Sequence, residues 1–437
     1  MDRATWTGLA VIGAVCALEI TGINGMTGWS DFATPAAPFS VVAALFAVTW
    51  LVARRLRADL RRLALLAGSL ACAVAFDPVF AAASVAWTFG FHAALFGGGP
   101  PRPRRGLAYA VASFIGLGVA CNRDLWPAFL DEHRELGRIG YLFALAYTLR
   151  IAWVWHEVRM RKQPIARLDF LLYFLFAPMF VVIPYMLAVI RCDRFRAALP
   201  VHDHAVERSG IRMITWGCVV AVFAWAMHEL HDPTLALNEA LRAHDIPGVA
   251  VWSLLSYPIQ HTVKVCAVAA ILVGMIRMLG VDLAPSFSAP LAAQSVPELW
   301  RRWNTHFRDL LVELFYVPVA LRLRRKPERA IIMGCFYVFV VGSTLFHLPK
   351  HYFRSGSLYP PMLNLIIENI VMGTIVAIAL IRERRRPAAA SPPSPFRFCL
   401  RVLRTWVIWM AVVLYLGHGT QYAVFGPVVP HAIQPWR

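Results

Sequence analysis

Long apolar runs separated by short, charge-rich connectors recur along the whole chain, a pattern that predicts an all-α protein whose helices cross a bilayer. Apolar segments cover 5–24, 37–53, 106–122, 139–156, 213–229, 330–347, 361–381 and 404–417. The run 63–97 is too long for one crossing and contains Asp77-Pro78, a turn signal, so it predicts a hairpin of two spans. The run 249–280 holds Tyr257, Pro258, His261 and Lys264 and is expected to be kinked, with its polar groups facing inward. Tyr147 and Arg150 are expected to point inward from 139–156. Segment 168–190 has basic connectors on both sides and contains Pro178 and Pro184, which fits a re-entrant or broken segment. The expected architecture is a polytopic membrane protein with about eleven transmembrane helices, one re-entrant segment and one amphipathic surface helix.

The surface helix is read from Ser295 onward, where Trp300, Trp303, Phe307, Leu311 and Leu314 recur at helical spacing while Glu298, Arg302, Thr305 and Asp309 fall opposite. Ser295 can cap the first backbone amides, Glu298 completes a capping box, and Glu298 with Arg302 forms an i,i+4 pair. Asn304 lies between the two faces. The apolar span that follows ends at His347, and an ionisable residue in such a span is a functional candidate by default.

Composition agrees with a membrane solvent: of 437 residues 59% are hydrophobic, with mean hydropathy +0.57. Every loop is too short to bury a core of its own, so 1–437 reads as a single membrane-embedded domain with its catalytic core at about 280–350. The net charge of +18 comes from arginines clustered in the connectors, with five against one aspartate in 54–62. That is the cytoplasmic bias of a membrane protein, and nucleic acid is not an expected partner. No small-residue cleavage motif directly follows 5–24, so the segment reads as an uncleaved span behind Arg3 with the N-terminus cytoplasmic. The acid-rich loop 232–247 and the C-terminus are expected outside. The eight cysteines are scattered without a CxxC pair and read as small hydrophobes.

The central stretch resembles the membrane-bound O-acyltransferase family, most closely its bacterial branch of alginate O-acetylation and D-alanyl transfer membrane proteins. The resemblance rests on Ser286-Phe287, Pro290, Ser295, Trp300 to Trp303, Arg308-Asp309, Tyr316 and Pro318, followed by a histidine in an apolar helix. Asn304 stands where that branch has a histidine, Phe346-His347-Leu348 replaces Trp-His-Gly, and Ile183-Pro184 replaces Gly-Pro. The resemblance implies transfer of an acetyl or other short acyl group to a hydroxyl of a glycan or cell-envelope acceptor. The donor would be acyl-CoA or another acyl thioester, used as a substrate with no bound cofactor. Its expected partners are the lipid bilayer and a periplasmic or cell-envelope protein that accepts the acyl group.

The chemistry needs a base for the hydroxyl proton and a donor for the carbonyl oxygen as it becomes negative. His347 suits the first role and Asn304 the second, although 43 positions separate them and sequence spacing cannot show that they meet. A straight helix from Arg329 would carry His347 about 27 Å along its axis, close to the outer surface. Trp300, Trp303, Arg301 and Arg308 are the substrate-binding candidates, the arginines for the phosphates of an acyl-CoA. The same cluster also serves as a topology signal, and the aromatic stripe also suits a face lying in lipid. His351 is a substitute base in principle. The pairs in His202-Asp203-His204 and His228-Glu229-Leu230-His231-Asp232 lack the H-E-x-x-H and H-x-x-H-H spacings of membrane di-iron sites, so no metal is expected and they read as solvated. Lys264 and Arg150 within spans offer the main alternative, a transporter or exporter, and a catalytically degenerate structural partner is the other.

Overall fold

A computed structural model describes residues 3–20, 39–97, 100–122, 125, 134–162, 164–176, 190–230, 243, 245, 247, 257–355, 361–385, 394–410 and 412. Among them helices are joined by turns and short irregular stretches, with no strand. Among the described residues four helices are long and apolar enough to cross a membrane: Pro78–Phe96, His204–Met227, Pro327–Pro349 and Leu365–Arg385. The 232–247 loop outside three isolated positions, most of the proline-bearing segment 177–189, and the C-terminal residues beyond 412 lie outside the described residues. Contacts group the chain into two units, one of residues 1–223 with 266–285 and the other of 224–265 with 286–437.

In the first unit the expected hairpin is present as helices Ala58–Phe76 and Pro78–Phe96. Asp77 is buried between them and its carboxylate accepts the Phe80 amide at 2.9 Å, with Pro78 at the first helical position. The junction is sharp because one residue both ends a helix and caps the next, and proline needs no amide partner there. Helix Arg134–Arg161 carries Tyr147 and Arg150 inward, both essentially fully buried. Arg150 donates to the Phe174 carbonyl at 2.6 Å, beside the C-terminal end of helix Arg167–Leu175. Tyr147 stacks into a cluster with Trp87, Phe143 and Phe174, its ring centroids 4.5 to 5.7 Å from theirs.

Helices His204–Leu230 and Tyr257–Met278 approach closely where they lie in this unit, and glycines permit it. A Cβ on Gly210 would meet the Gly274 carbonyl at 2.6 Å, and one on Gly274 would meet the Gly210 carbonyl at 2.8 Å. Small residues that bring helix backbones together drive association where the solvent is lipid. The kink expected in the run 249–280 falls at the edge of residues 249–256, which lie outside the described residues.

In the second unit, Ser295 to Leu314 is not one surface helix. Val296–Arg302 ends at Trp303, Asn304 adopts φ 39° and ψ 63°, and a second helix, Thr305–Leu311, runs into a π-helical stretch, Val312–Tyr316. The reading of the aromatic stripe as a lipid-facing surface is corrected as well: Phe307 and Leu311 are buried inside the protein. The next long helix, Pro327–Cys335, continues as a second π-helical stretch, Phe336–Ser343, and then as Thr344–Ser355. Gly342 is opposite Leu311 and Phe315, and Gly334 opposite Tyr316, so the two π stretches pack without side chains intervening on the glycine side. The last helix starts at Pro395, earlier than the 404 expected, and exposes Phe396, Leu400, Leu403 and Val407 along one stripe. A helix with such a stripe beside Arg397, Arg401 and Arg404 is amphipathic, where the apolar run alone had predicted a simple span.

Candidate functional site

The site grows out of the break at Asn304. Ser295 caps the first short helix by accepting the Glu298 amide at 3.2 Å, while the Glu298 carboxylate accepts the Gln294 amide at 2.8 Å and pairs with Arg302 at 2.6 Å. The helix then stops because the left-handed backbone of Asn304 cannot continue it. Asparagine tolerates that conformation better than other side-chain-bearing residues. The loop before it is held to the break from both sides: the Ser288 amide donates to the Arg302 carbonyl at 3.0 Å and the Thr305 amide to the Ser286 carbonyl at 2.8 Å.

Asn304 then caps the second helix, its Oδ1 accepting the Phe307 amide at 3.3 Å. Only the oxygen can face an N–H donor, so the cap fixes which way round the amide lies. Nδ2 is left as the outward donor, and among the described residues it makes no hydrogen bond.

Phe307 connects this cap to His347. Its ring lies edge-on to the imidazole, with centroids 5.2 Å apart, and is similarly placed against Phe346 at 6.1 Å. The 43-residue gap between Asn304 and His347 is thus closed through one residue, whose backbone amide donates to the first and whose ring packs on the second. His347 is half-buried, and its Nδ1 lies 2.8 Å from the Ser343 carbonyl, with the Ser343 hydroxyl at 3.4 Å. A carbonyl can only accept, so Nδ1 carries the proton and the lone pair belongs to Nε2. The π-helical stretch ending at Ser343 precedes this turn directly, and such stretches are frequent at functional sites. Its wider winding also makes the straight-helix distance along the axis an overestimate.

The other candidates are placed differently. Trp300 packs on Phe339 with centroids 4.6 Å apart, and Trp303 lies between Phe287 and Trp409 at 5.1 and 5.4 Å. Arg301 is exposed and 3.9 Å from Glu383, while Arg308 pairs with Asp309 and donates to the Arg301 carbonyl. Neither arginine has a contact that joins it to His347, so a phosphate-bearing donor would compete with existing partners for both. The side chain of His351 lies outside the described residues. His306, which the sequence pattern does not single out, is buried beside Phe307 in the first turn after the Asn304 cap.

Comparison with protein-family models finds no match, and neither does comparison with curated proteins. The functional reading therefore rests on the residues themselves.

Proposed function

We propose that this membrane protein is an O-acyltransferase, moving an acetyl or other short acyl group from a thioester donor to a hydroxyl on a glycan or cell-envelope acceptor. The observation that carries the reading is the pairing of two anchored polar groups across Phe307. His347, protonated at Nδ1 by its bond to the Ser343 carbonyl, presents a basic Nε2. Asn304, held by its own cap, presents an amide donor.

In the reaction, Nε2 of His347 takes the acceptor hydroxyl proton as the oxygen attacks the thioester carbonyl. The Nδ2 of Asn304 donates to the carbonyl oxygen as it gains negative charge. Collapse expels the thiolate, which takes up the proton from the imidazolium, so histidine returns to its starting form. The rigid anchoring matters because fixed donors need no reorganisation when charge develops. In this reading the remaining apolar segments complete a bundle of about eleven crossings in a bacterial inner membrane, with the N-terminus cytoplasmic and the C-terminus periplasmic. Acyl-CoA or another thioester is the donor, and an acyl-accepting envelope protein is an expected partner.

The test is mass spectrometry of envelope glycans and lipids from cells with the gene, without it, and with His347→Ala in its place. An ester should disappear on deletion and stay absent with the variant. An unchanged ester profile on deletion overturns the proposed activity, and restoration by His347→Ala overturns the assignment of the base.

A further inference from the structure

We infer that His202, His204 and Glu207, in the first unit, form a binding site for a divalent transition metal of the zinc class. The two histidines flank Asp203 and immediately precede or open the helix His204–Leu230, and Glu207 lies one turn into it. His202 Nε2 is 3.1 Å and His204 Nδ1 2.8 Å from the same oxygen, Glu207 Oε2. One candidate ligand atom from each residue lies within 4.8 Å of the others. Zinc bonds of about 2.0–2.2 Å in tetrahedral geometry need ligand atoms separated by about 3.4 Å. The two distances to the carboxylate oxygen need shifts of a few tenths of an ångström, and the two imidazoles are brought to the same ion by rotation of the exposed His204 side chain.

The division of labour within the carboxylate supports ligation. Oε2 faces the imidazoles, whereas Oε1 is held by the Trp50 indole N–H at 2.8 Å and by Arg54 at 3.4 Å. Arg54 is itself fixed, over the Trp50 ring and by a hydrogen bond of 2.6 Å to Thr5. Partners that orient a ligating carboxylate from its other oxygen are the usual outer shell of a metal site. Arg54 neutralises part of the carboxylate charge, so the site is built mainly from neutral imidazole donors, which favours zinc-class ions over calcium or magnesium.

Burial is graded in the way that metal entry needs. Glu207 and His202 have side chains only 1% and 6% exposed, whereas His204 is 58% exposed and stands at the mouth. Among the described residues His202 Nδ1 makes no hydrogen bond, and it faces Gly280, whose φ is +80° and where a Cβ would approach it to 2.9 Å and Arg61 Nη2 to 2.7 Å. Glycine therefore leaves room between this edge of the ring and the Arg61 guanidinium. In the metal-bound form each imidazole carries its one proton on the nitrogen remote from the ion, so binding is a change of tautomer and needs no further base. The ion would tie the start of this helix to the Trp50–Arg54 end of helix Phe39–Ala53.

The test uses full-length protein in detergent or nanodiscs, stripped with a chelator and titrated with zinc chloride or cobalt chloride. After desalting, the wild type should retain about one metal ion per chain, and its unfolding temperature should rise with metal concentration. His204→Ala, which removes an exposed side chain and leaves no cavity, should weaken binding at least about tenfold. His204→Cys should restore binding and add a thiolate-to-cobalt charge-transfer band that the wild-type cobalt protein lacks. The inference is overturned if the wild type retains no metal, if His204→Ala binds as tightly as the wild type, or if the wild-type cobalt spectrum already shows thiolate ligation from one of the cysteines.

Discussion

The two units use their polar side chains differently. In the first unit buried arginines are spent on backbone carbonyls. Arg61 is fully buried and donates to the carbonyls of Ala198, Leu199 and Leu279, and Arg150 donates to Phe174. In the second unit, the bonds at Asn304 Oδ1 and His347 Nδ1 fix how the amide and the imidazole are oriented. Arginines that satisfy helix-end carbonyls fasten a bundle, because a carbonyl left unpaired in a low-dielectric interior costs about 1–3 kcal/mol. A base and a donor held in a defined orientation are what a reaction needs. On this view Arg150 within its span is a structural fastener, which removes part of the case for a transport path.

The comparison is most sharply broken at His347. His347→Ala should lower acyl transfer by roughly 10² to 10⁴-fold while the protein still inserts and folds, since general-base help is typically of that size. Purified protein supplied with a labelled acyl thioester and envelope acceptor provides the rate. A variant that keeps near-normal transfer would move the site away from this histidine.

Asn304 comes next, and it permits a cleaner separation of structure from chemistry. Asn304→Ala removes both the cap and the donor, so transfer should fall by about 10² to 10³-fold together with a loss of about 0.5–2 kcal/mol of stability. Asn304→Asp keeps the cap and tolerates the left-handed backbone, but has no N–H. Its thermal stability should stay near that of the wild type while its activity falls as far as with alanine. Equal activity for aspartate and asparagine would make the residue a helix cap only.

On the fastening side, Gly210→Leu should destabilise the first unit by about 1–3 kcal/mol, the usual cost of forcing side-chain volume into a packed contact. The new Cβ would meet the Gly274 carbonyl and the Met278 amide nitrogen at 2.6 and 2.7 Å, and these are backbone atoms that cannot rotate away. Thermal unfolding in detergent measures the loss. A variant as stable as the wild type would show that the two helices can separate there without cost.

Much of this organisation was legible in the sequence where a local rule governs it. Asp77-Pro78 announced its hairpin, Ser295 and Glu298 their cap, and the isolated Arg150 its inward direction, because each depends on neighbours within a few residues. The break at Asn304 was hidden because Trp300, Trp303, Phe307 and Leu311 keep helical spacing straight through it, and a single left-handed residue leaves no mark on that period. Glu207 was invisible for a different reason. Its partners Trp50 and Arg54 are more than 150 residues away, so His202 and His204 looked like a solvated pair until the fold brought a buried carboxylate to them. The π-helical stretches have no compositional signature.

Ser343→Ala should have the smallest effect, and it tests how His347 is oriented. The imidazole has two contacts at this residue, the carbonyl at 2.8 Å and the hydroxyl at 3.4 Å. The shorter contact is a normal hydrogen bond, while the longer one is at the limit for an O–H or N–H donor. Alanine retains the carbonyl, so the tautomer with the proton on Nδ1 should persist and the acyl-transfer rate should fall by no more than about threefold, less than 1 kcal/mol. A loss approaching that of His347→Ala would mean that the hydroxyl, not the backbone, holds the ring, and that Ser343 belongs to the reacting group together with His347.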